Sequence, residues 1–349
     1  MNPNNVEAAG VMPAAPGCVE HAGLTREQLR KLSRLNPLRS SFQIVAEWVL
    51  IVAAIYAGAH YWNPLLYLLM VVFIGARQHA LLILMHEGTH YRLSRHRRLN
   101  DWVGELLLAW PFFVTMRSYR RNHIAHHLHM NTDRDPDWRR KLDQPQWRFP
   151  KHWAEIAWLL FSDVTGLNAI GLIRLARSLA AEGDAPPRSY VIARLAFYLA
   201  AAVLIVISGG LHLFLLYWVV PYFTWLAMIL HVRSIAEHFS IPDGGGIRAG
   251  VRTTHVNFLE RLLVAPNNVN YHAEHHRFPS VPFYRLPELH RLLSSSPDFA
   301  EAAHLSDGYL GVLSECSQGA VEPKAGANTA ARYPLVGTPG GAMPSLAKV

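Results

Sequence analysis

Eight histidines fall in three short stretches: HEGTH at 86–90, HIAHH at 123–127 and HAEHH at 272–276. The neutral imidazole is a ligand for Zn, Fe, Cu and Ni. His86 and His90 are four apart and share a helix face. His123, His126 and His127 repeat that logic at i, i+3 and i+4, and His272, His275 and His276 repeat it again. A fourth segment, HVRSIAEHF (231–239), adds His238. Two, three, one and three make nine positional candidates. One zinc ion needs three or four protein ligands, so nine is too many for a single ion. Nine suffices for two ions with four or five nitrogens each, leaving positions for an exogenous ligand. Two redox-capable ions suggest oxygen chemistry. Iron leads the candidates, while ligand type alone leaves copper and zinc open.

HEGTH is also literally H-E-x-x-H, in which two histidines bind zinc and the glutamate, here Glu87, serves as general base of a metalloprotease. An intramembrane zinc protease is therefore a rival reading. It has no use for two further H-x-x-H-H clusters. The isolated His79, His96, His129, His231, His255 and His290 read as surface or packing residues.

The elements that must position these rings are apolar. Hydrophobic residues make up 51% of the 349-residue chain and charged residues 17%. Four long runs stand out at 42–62, 64–85, 190–207 and 211–230. Each comes close to the roughly 20 apolar residues a spanning helix needs. The runs form two pairs joined by short uncharged links around Asn63 and at Ser208-Gly209-Gly210, whereas the flanks are basic: REQLRKLSRLNPLR (26–39), YRLSRHRR (91–98), RSYRRN (117–122) and DWRRKLD (137–143). Lys and Arg mark the cytoplasmic side, so both hairpins dip in from the cytoplasm and both termini lie there. Glu47, Arg77, His79 and Arg194 interrupt the runs and are expected near span ends or facing the bundle interior. The stretch LLLAWPFFV (106–114) is too short to span and contains Pro111, which makes it re-entrant or interfacial. All the histidine clusters then fall on one membrane face.

The net charge of +8 fits contact with anionic headgroups, and no basic stripe outside the membrane flanks points to nucleic acid. Cys18 and Cys316 cannot build a cysteine metal site, and a structural disulfide is not expected. No signal peptide is expected in the first residues. Residues 1–24 and 318–349 read as disordered tails around one domain, 25–317. The expected fold is an all-α integral membrane protein, with four transmembrane helices in two hairpins, interfacial helices and a cytoplasmic helical metal-binding cap.

Taken in order, HEGTH, HIAHH and HAEHH resemble the three histidine boxes of the membrane fatty-acid desaturase superfamily, the integral-membrane di-iron enzymes. The polar NTDRDPDW (131–138) after the second box and NVNYHAEHHRFPSVPFYRLPELH (268–290) around the third strengthen the resemblance, which covers about residues 40–295. It implies two non-haem irons held by His86, His90, His123, His126, His127, His272, His275 and His276, with His238 in the place of a further ligand after the fourth membrane helix. Four residues earlier, acyl desaturases carry an asparagine that holds a water on one iron; this chain has Ser234. Partners that fix ring orientation are expected among Glu87, Asp133, Asp135, Asp137, Ser234, Asn268 and Glu274. The resemblance further implies O2 as co-substrate and a double bond introduced into a fatty acyl chain or related lipophilic substrate. Electrons would come from a separate ferredoxin, rubredoxin or cytochrome b5-like donor, which the basic face would steer if acidic. Hydroxylases and ketolases acting on carotenoids, sphingolipids, alkanes or small metabolites share the same boxes and are the alternative.

Overall fold

A computed structural model describes residues 24–142, 144–181, 185–241, 250–296, 299 and 303–318. Apart from Leu24 and Gln318, the expected tails lie outside these residues.

After a short amphipathic helix, α1 (Arg26–Leu32), come the two helices of the first hairpin, α2 (Pro37–His60) and α3 (Pro64–Thr89). Both open with the same local device. Asn36 and Asn63 cap the backbone N–H groups of Arg39 and Leu66, and a proline follows at the first helical position. There its missing N–H costs nothing. Both helices are long and apolar enough to cross a membrane, as are α9 (Arg188–Ile207) and α10 (Leu211–His238), introduced below. The four expected spans are therefore present, in two hairpins. Their packing differs: 67% of the apolar window of α3 is buried in the protein and none of that of α9. Thus α3 is the central post of the bundle and α9 a peripheral helix. Glu47 faces the interior, paired with Arg77 Nη1 at 3.1 Å, which satisfies both charges at membrane depth.

Between the hairpins, α4 (Arg97–Gly104) continues through a π-turn (Glu105–Ala109) and a 3-10 turn (Trp110–Phe112) that ends at Phe113 with φ 60°. Leu108, Ala109, Trp110 and Phe112 join the core around Trp218, so the stretch is a non-spanning plug. Then come α5 (Met116–His129), α6 (Pro136–Lys141), α7 (Trp153–Val164) and α8 (Ala169–Ala181). The last two are apolar and bent by 77° at Gly166, a broken or re-entrant pair that the run-length reading did not identify. α10 contains a π-turn at Leu215–Val219, ahead of Pro221, and a break at Thr224 (φ −118°, ψ −91°). Proline removes a helical donor, and such irregular turns absorb the mismatch.

The cap is completed by β1 (Arg252–His255), α11 (Phe258–Leu263), α12 (His272–Arg277), α13 (Leu286–Leu293), β2 (His304–Asp307) and α14 (Gly308–Gln318). The strands pair in parallel, Arg252 opposite His304, a small departure from an all-helical reading. Arg252 is buried, donates to Ala236 O at 2.7 Å and pairs with Glu315 at 2.9 Å. It therefore neutralises carbonyls at the C-terminal end of α10 and ties that end to the cap.

Candidate metal centre

The first box lies at the end of α3, where the last carbonyls of a helix have no internal partners. Asn100 Nδ2 donates to Gly88 O at 2.9 Å, Arg120 Nη2 to the same oxygen at 3.0 Å and Arg120 Nε to Thr89 O at 3.1 Å. These two side chains, from α4 and α5, hold the terminus that carries His86 and His90. The second box occupies the last two turns of α5, the third forms α12, and His238 ends α10.

The nine imidazoles converge as two groups. His86, His90, His123, His127 and His275 present ring nitrogens within 4.8 Å of one another. Nε2 atoms approach at 2.9 Å between His90 and His123, 2.9 Å between His123 and His127, and 3.2 Å between His127 and His275. The second group is centred on His238, which meets His126 at 3.2 Å and His272 at 3.0 Å. His126, His238 and His276 form one ligand triple, and Glu237, His238 and His272 another. The box helices divide their rings in a regular way. His123 and His127, at i and i+4, serve the first group, and His126 crosses to the second. His272 and His276 serve the second group, and His275 crosses to the first. On an α-helix i+4 lies about 40° from i, whereas i+3 and i+4 diverge by about 100°. One H-x-x-H-H box therefore addresses two points in space.

The rings are suited to hold metal. Both nitrogens of His86 and Nε2 of His276 are buried without a hydrogen-bond partner, and buried polar atoms are normally satisfied. Burial, and then neighbouring imidazoles or arginines, push His90, His123, His127, His272, His275 and His276 well below the ordinary histidine range. These rings are neutral, the form that ligates. Among the described residues, no cysteine joins either group.

Around the rings, Asp135 is fully buried and accepts from His126 Nδ1 at 2.8 Å, from Asn131 N at 3.0 Å and, as N-cap of α6, from Asp137 N at 2.9 Å. Burial works against its charge, but the His126 and Asn131 hydrogen bonds hold it below the usual aspartate range. His238 Nδ1 meets Gly250 O at 2.9 Å, and His272 Nδ1 lies 3.4 Å from Glu237, itself paired with Arg233. Glu87 lies 3.8 Å from His86 Nδ1, but its Oε2 accepts from Phe283 N at 2.9 Å. The protease base is thus committed to a backbone amide.

Other expected partners sit elsewhere. Asn268 donates to Phe283 O at 3.1 Å, Ser234 bonds Lys141 Nζ at 2.6 Å, Asp137 pairs with Lys141, and Glu274 holds Thr253 and His290. Asp133 is exposed. None of these five is hydrogen-bonded to a candidate ligand ring. Asn268, Ser234, Asp137 and Glu274 brace the elements that carry the rings. His290, expected as a surface or packing residue, is the cap partner of Glu274. His231 is buried against Asp163 at 2.9 Å. Glu237, Asn100 and Arg120 were not foreseen. Glu237 was visible only as the neighbour of His238, and the other two carry no local signal.

Residues 62–306 match the model of the fatty acid desaturase family, well over half of the chain. The chain belongs to that family. Among its relatives, the dihydrorhizobitoxine desaturase of Bradyrhizobium elkanii is 28% identical over 298 residues, covering 81% of this chain and 84% of that protein. A chloroplastic omega-3 fatty acid desaturase of Brassica napus is 28% identical over 281 residues (72% and 67%), and a beta-carotene ketolase of a Paracoccus species 25% identical over 240 residues (66% and 81%). This desaturase-family member thus keeps all three histidine boxes in a four-span helical frame.

Proposed function

We propose that the chain is a membrane-bound, O2-dependent di-iron desaturase in which the five-histidine group holds one iron and the four-histidine group the other. The observation that carries this is the division of nine buried or half-buried imidazoles into two convergent sets. Bound iron would supply O2 activation and the oxidising power to take hydrogen from an unactivated C–H bond. The reaction balances as loss of two hydrogens from adjacent carbons, with two electrons and two protons from outside, and reduction of one O2 to two waters.

The chain's own residues supply the rest. Asp135, the Gly250 carbonyl and Glu237 set the orientation of three rings. The surrounding helices bury all nine rings at least in part and so limit water at the centre. A separate ferredoxin, rubredoxin or cytochrome b5-like protein would deliver electrons to the basic face. The histidine boxes and both termini lie in the cytoplasm, consistent with the Lys and Arg flanks. A fatty acyl chain or related lipophilic molecule is the substrate class that family membership brings, and hydroxylation or ketolation the neighbouring chemistry.

The test begins with purified protein, which should carry two irons per chain. His275→Ala should lose metal and activity with the fold retained. Mass spectrometry of an expressing host should show a product two hydrogens lighter than its precursor. One zinc and no iron would revive the protease, and a gain of one oxygen would make the enzyme a hydroxylase. Reporter fusions at Gly209 should appear outside and at Arg98 inside.

A further inference from the structure

Asn131 lies two residues beyond the end of α5, in the left-handed region with φ 55°. Glycine and asparagine are the residues that close a helix in this way, so the turn alone accounts for the residue type. Its contacts go further. The backbone N–H of Asn131 donates to Asp135 Oδ2 at 3.0 Å, the same oxygen that faces His126 Nδ1 at 2.8 Å. Its side-chain Nδ2 donates to Gly250 O at 3.4 Å, the same oxygen that faces His238 Nδ1 at 2.9 Å. One half-buried residue thus reaches both oxygens that face these two rings.

A carboxylate or carbonyl oxygen only accepts. Each ring therefore carries its proton on Nδ1 and leaves Nε2 bare, and the two Nε2 atoms lie 3.2 Å apart. That convergence depends on the separation of the two oxygens. One sits on the turn after α5, and the other is bonded by a residue 119 positions earlier in the chain. Asn131 spans this gap. Position 250 is fitted to it from the other side: a Cβ there would lie 2.0 Å from Asn131 Nδ2 and 3.2 Å from its Cγ, and Gly250 itself has φ 77°. Only glycine lets the amide come so close in that backbone conformation. The carbonyl oxygen has two lone pairs, so it takes the ring and the amide together.

We propose that Asn131 is a positioning residue for the four-histidine metal position: it clasps Asp135 to the Gly250 carbonyl, and so fixes the distance and angle between the His126 and His238 rings. This proposal rests on the two-iron reading and adds to it a residue that touches neither metal nor substrate. Among the described residues, no ring of the five-histidine group bonds either oxygen, so the effect is confined to one position.

The test uses the full chain in nanodiscs, loaded with Mössbauer-active iron. Wild-type protein should give two iron signals, one for each group. Asn131→Gly keeps the left-handed turn and the backbone donor to Asp135 and removes only the amide. It should release the second iron to a graded chelator about tenfold or more readily and shift one signal, with the other unchanged. Asn131→Asp also suits the turn but cannot donate to a carbonyl, and should do the same. Gly250→Ala strikes the amide from the opposite side and should alter the same signal, and adding Asn131→Gly to it should cost less than the two separate losses combined. Two signals and two chelator sensitivities like wild type in Asn131→Gly and Asn131→Asp overturn the proposal. Equal loosening of both irons overturns it too, since that is what a general packing role would produce; the two-iron reading then stands. Wild-type protein that holds a single iron overturns the two-iron reading, and the proposal with it.

Discussion

Asp135→Asn should empty one metal position and spare the other. Asp135 is fully buried, and its two oxygens serve three donors: His126 Nδ1, Asn131 N and Asp137 N. Because His126 Nδ1 faces a carboxylate, it carries the proton. Nε2, 3.2 Å from His238 Nε2, is then free to ligate. Asparagine keeps one acceptor for the α6 N-cap but turns an amide N–H toward the ring. His126 would then accept at Nδ1 and carry its proton on Nε2, the wrong tautomer for a ligand. Loss of such an outer partner typically costs about 10–100-fold in metal affinity, or about 1.4–2.7 kcal/mol. The five-histidine group makes no hydrogen bond to Asp135 and should keep its iron. Iron per chain, measured against a graded chelator, should fall from two toward one at chelator levels the wild type resists, and turnover should fall with it. Asp133→Asn, at an exposed position, should change neither. If Asp135→Asn holds two irons as tightly as wild type, the tautomer argument is wrong.

Three further outcomes follow from the same geometry. His90, His123, His127, His272, His275 and His276 have folded-state pKa values below the ordinary 6.5, so the unfolded chain binds more protons below that pH. Metal-free protein should therefore lose stability as pH falls through about 6.5, by up to about 1.4 kcal/mol per pH unit for each ring that stays neutral, and its thermal midpoint should drop accordingly; a midpoint flat from about pH 8 to 5 would contradict the buried neutral rings. A Cβ on Gly75 would lie 2.8 Å from Trp225 Cβ and 3.1 Å from Leu226 N, so Gly75→Ala should push α10 from α3, cost about 1–3 kcal/mol and loosen iron at both positions by shifting His238 on α10 relative to His86 and His90 at the end of α3; unchanged stability and iron content would show that the contact relaxes freely. Glu87→Gln keeps an acceptor for Phe283 N and should retain iron, whereas Glu87→Ala leaves that buried amide unpaired and should destabilise by about 1–3 kcal/mol in a detergent melt. Peptidase activity that vanishes in Glu87→Gln would restore the protease.

How much of this was legible follows from the range of each signal. Hydropathy runs and charged flanks are local, so four spans could be read from composition, with boundaries close to those of the helices. Box spacing is local too, and i, i+3, i+4 placed three rings near one helix face. What spacing could not say is which ion each ring serves. The crossing of His126 and His275 depends on where α5, α12, α3 and α10 sit relative to one another. The same holds for the supports: Asp135 was one of seven expected partners and the one hydrogen-bonded to a ligand ring, because a backbone turn brings it back nine positions to His126. Asn100 and Arg120 matter only because α4 and α5 pack on the open end of α3. The bent α7–α8 pair escaped because each half is too short to register as a span. The residues able to bind metal, and the count that implies two ions, were thus decided by sequence alone. The partition of the rings and their tautomers were decided by tertiary packing, since only long-range contacts fix directions between helices.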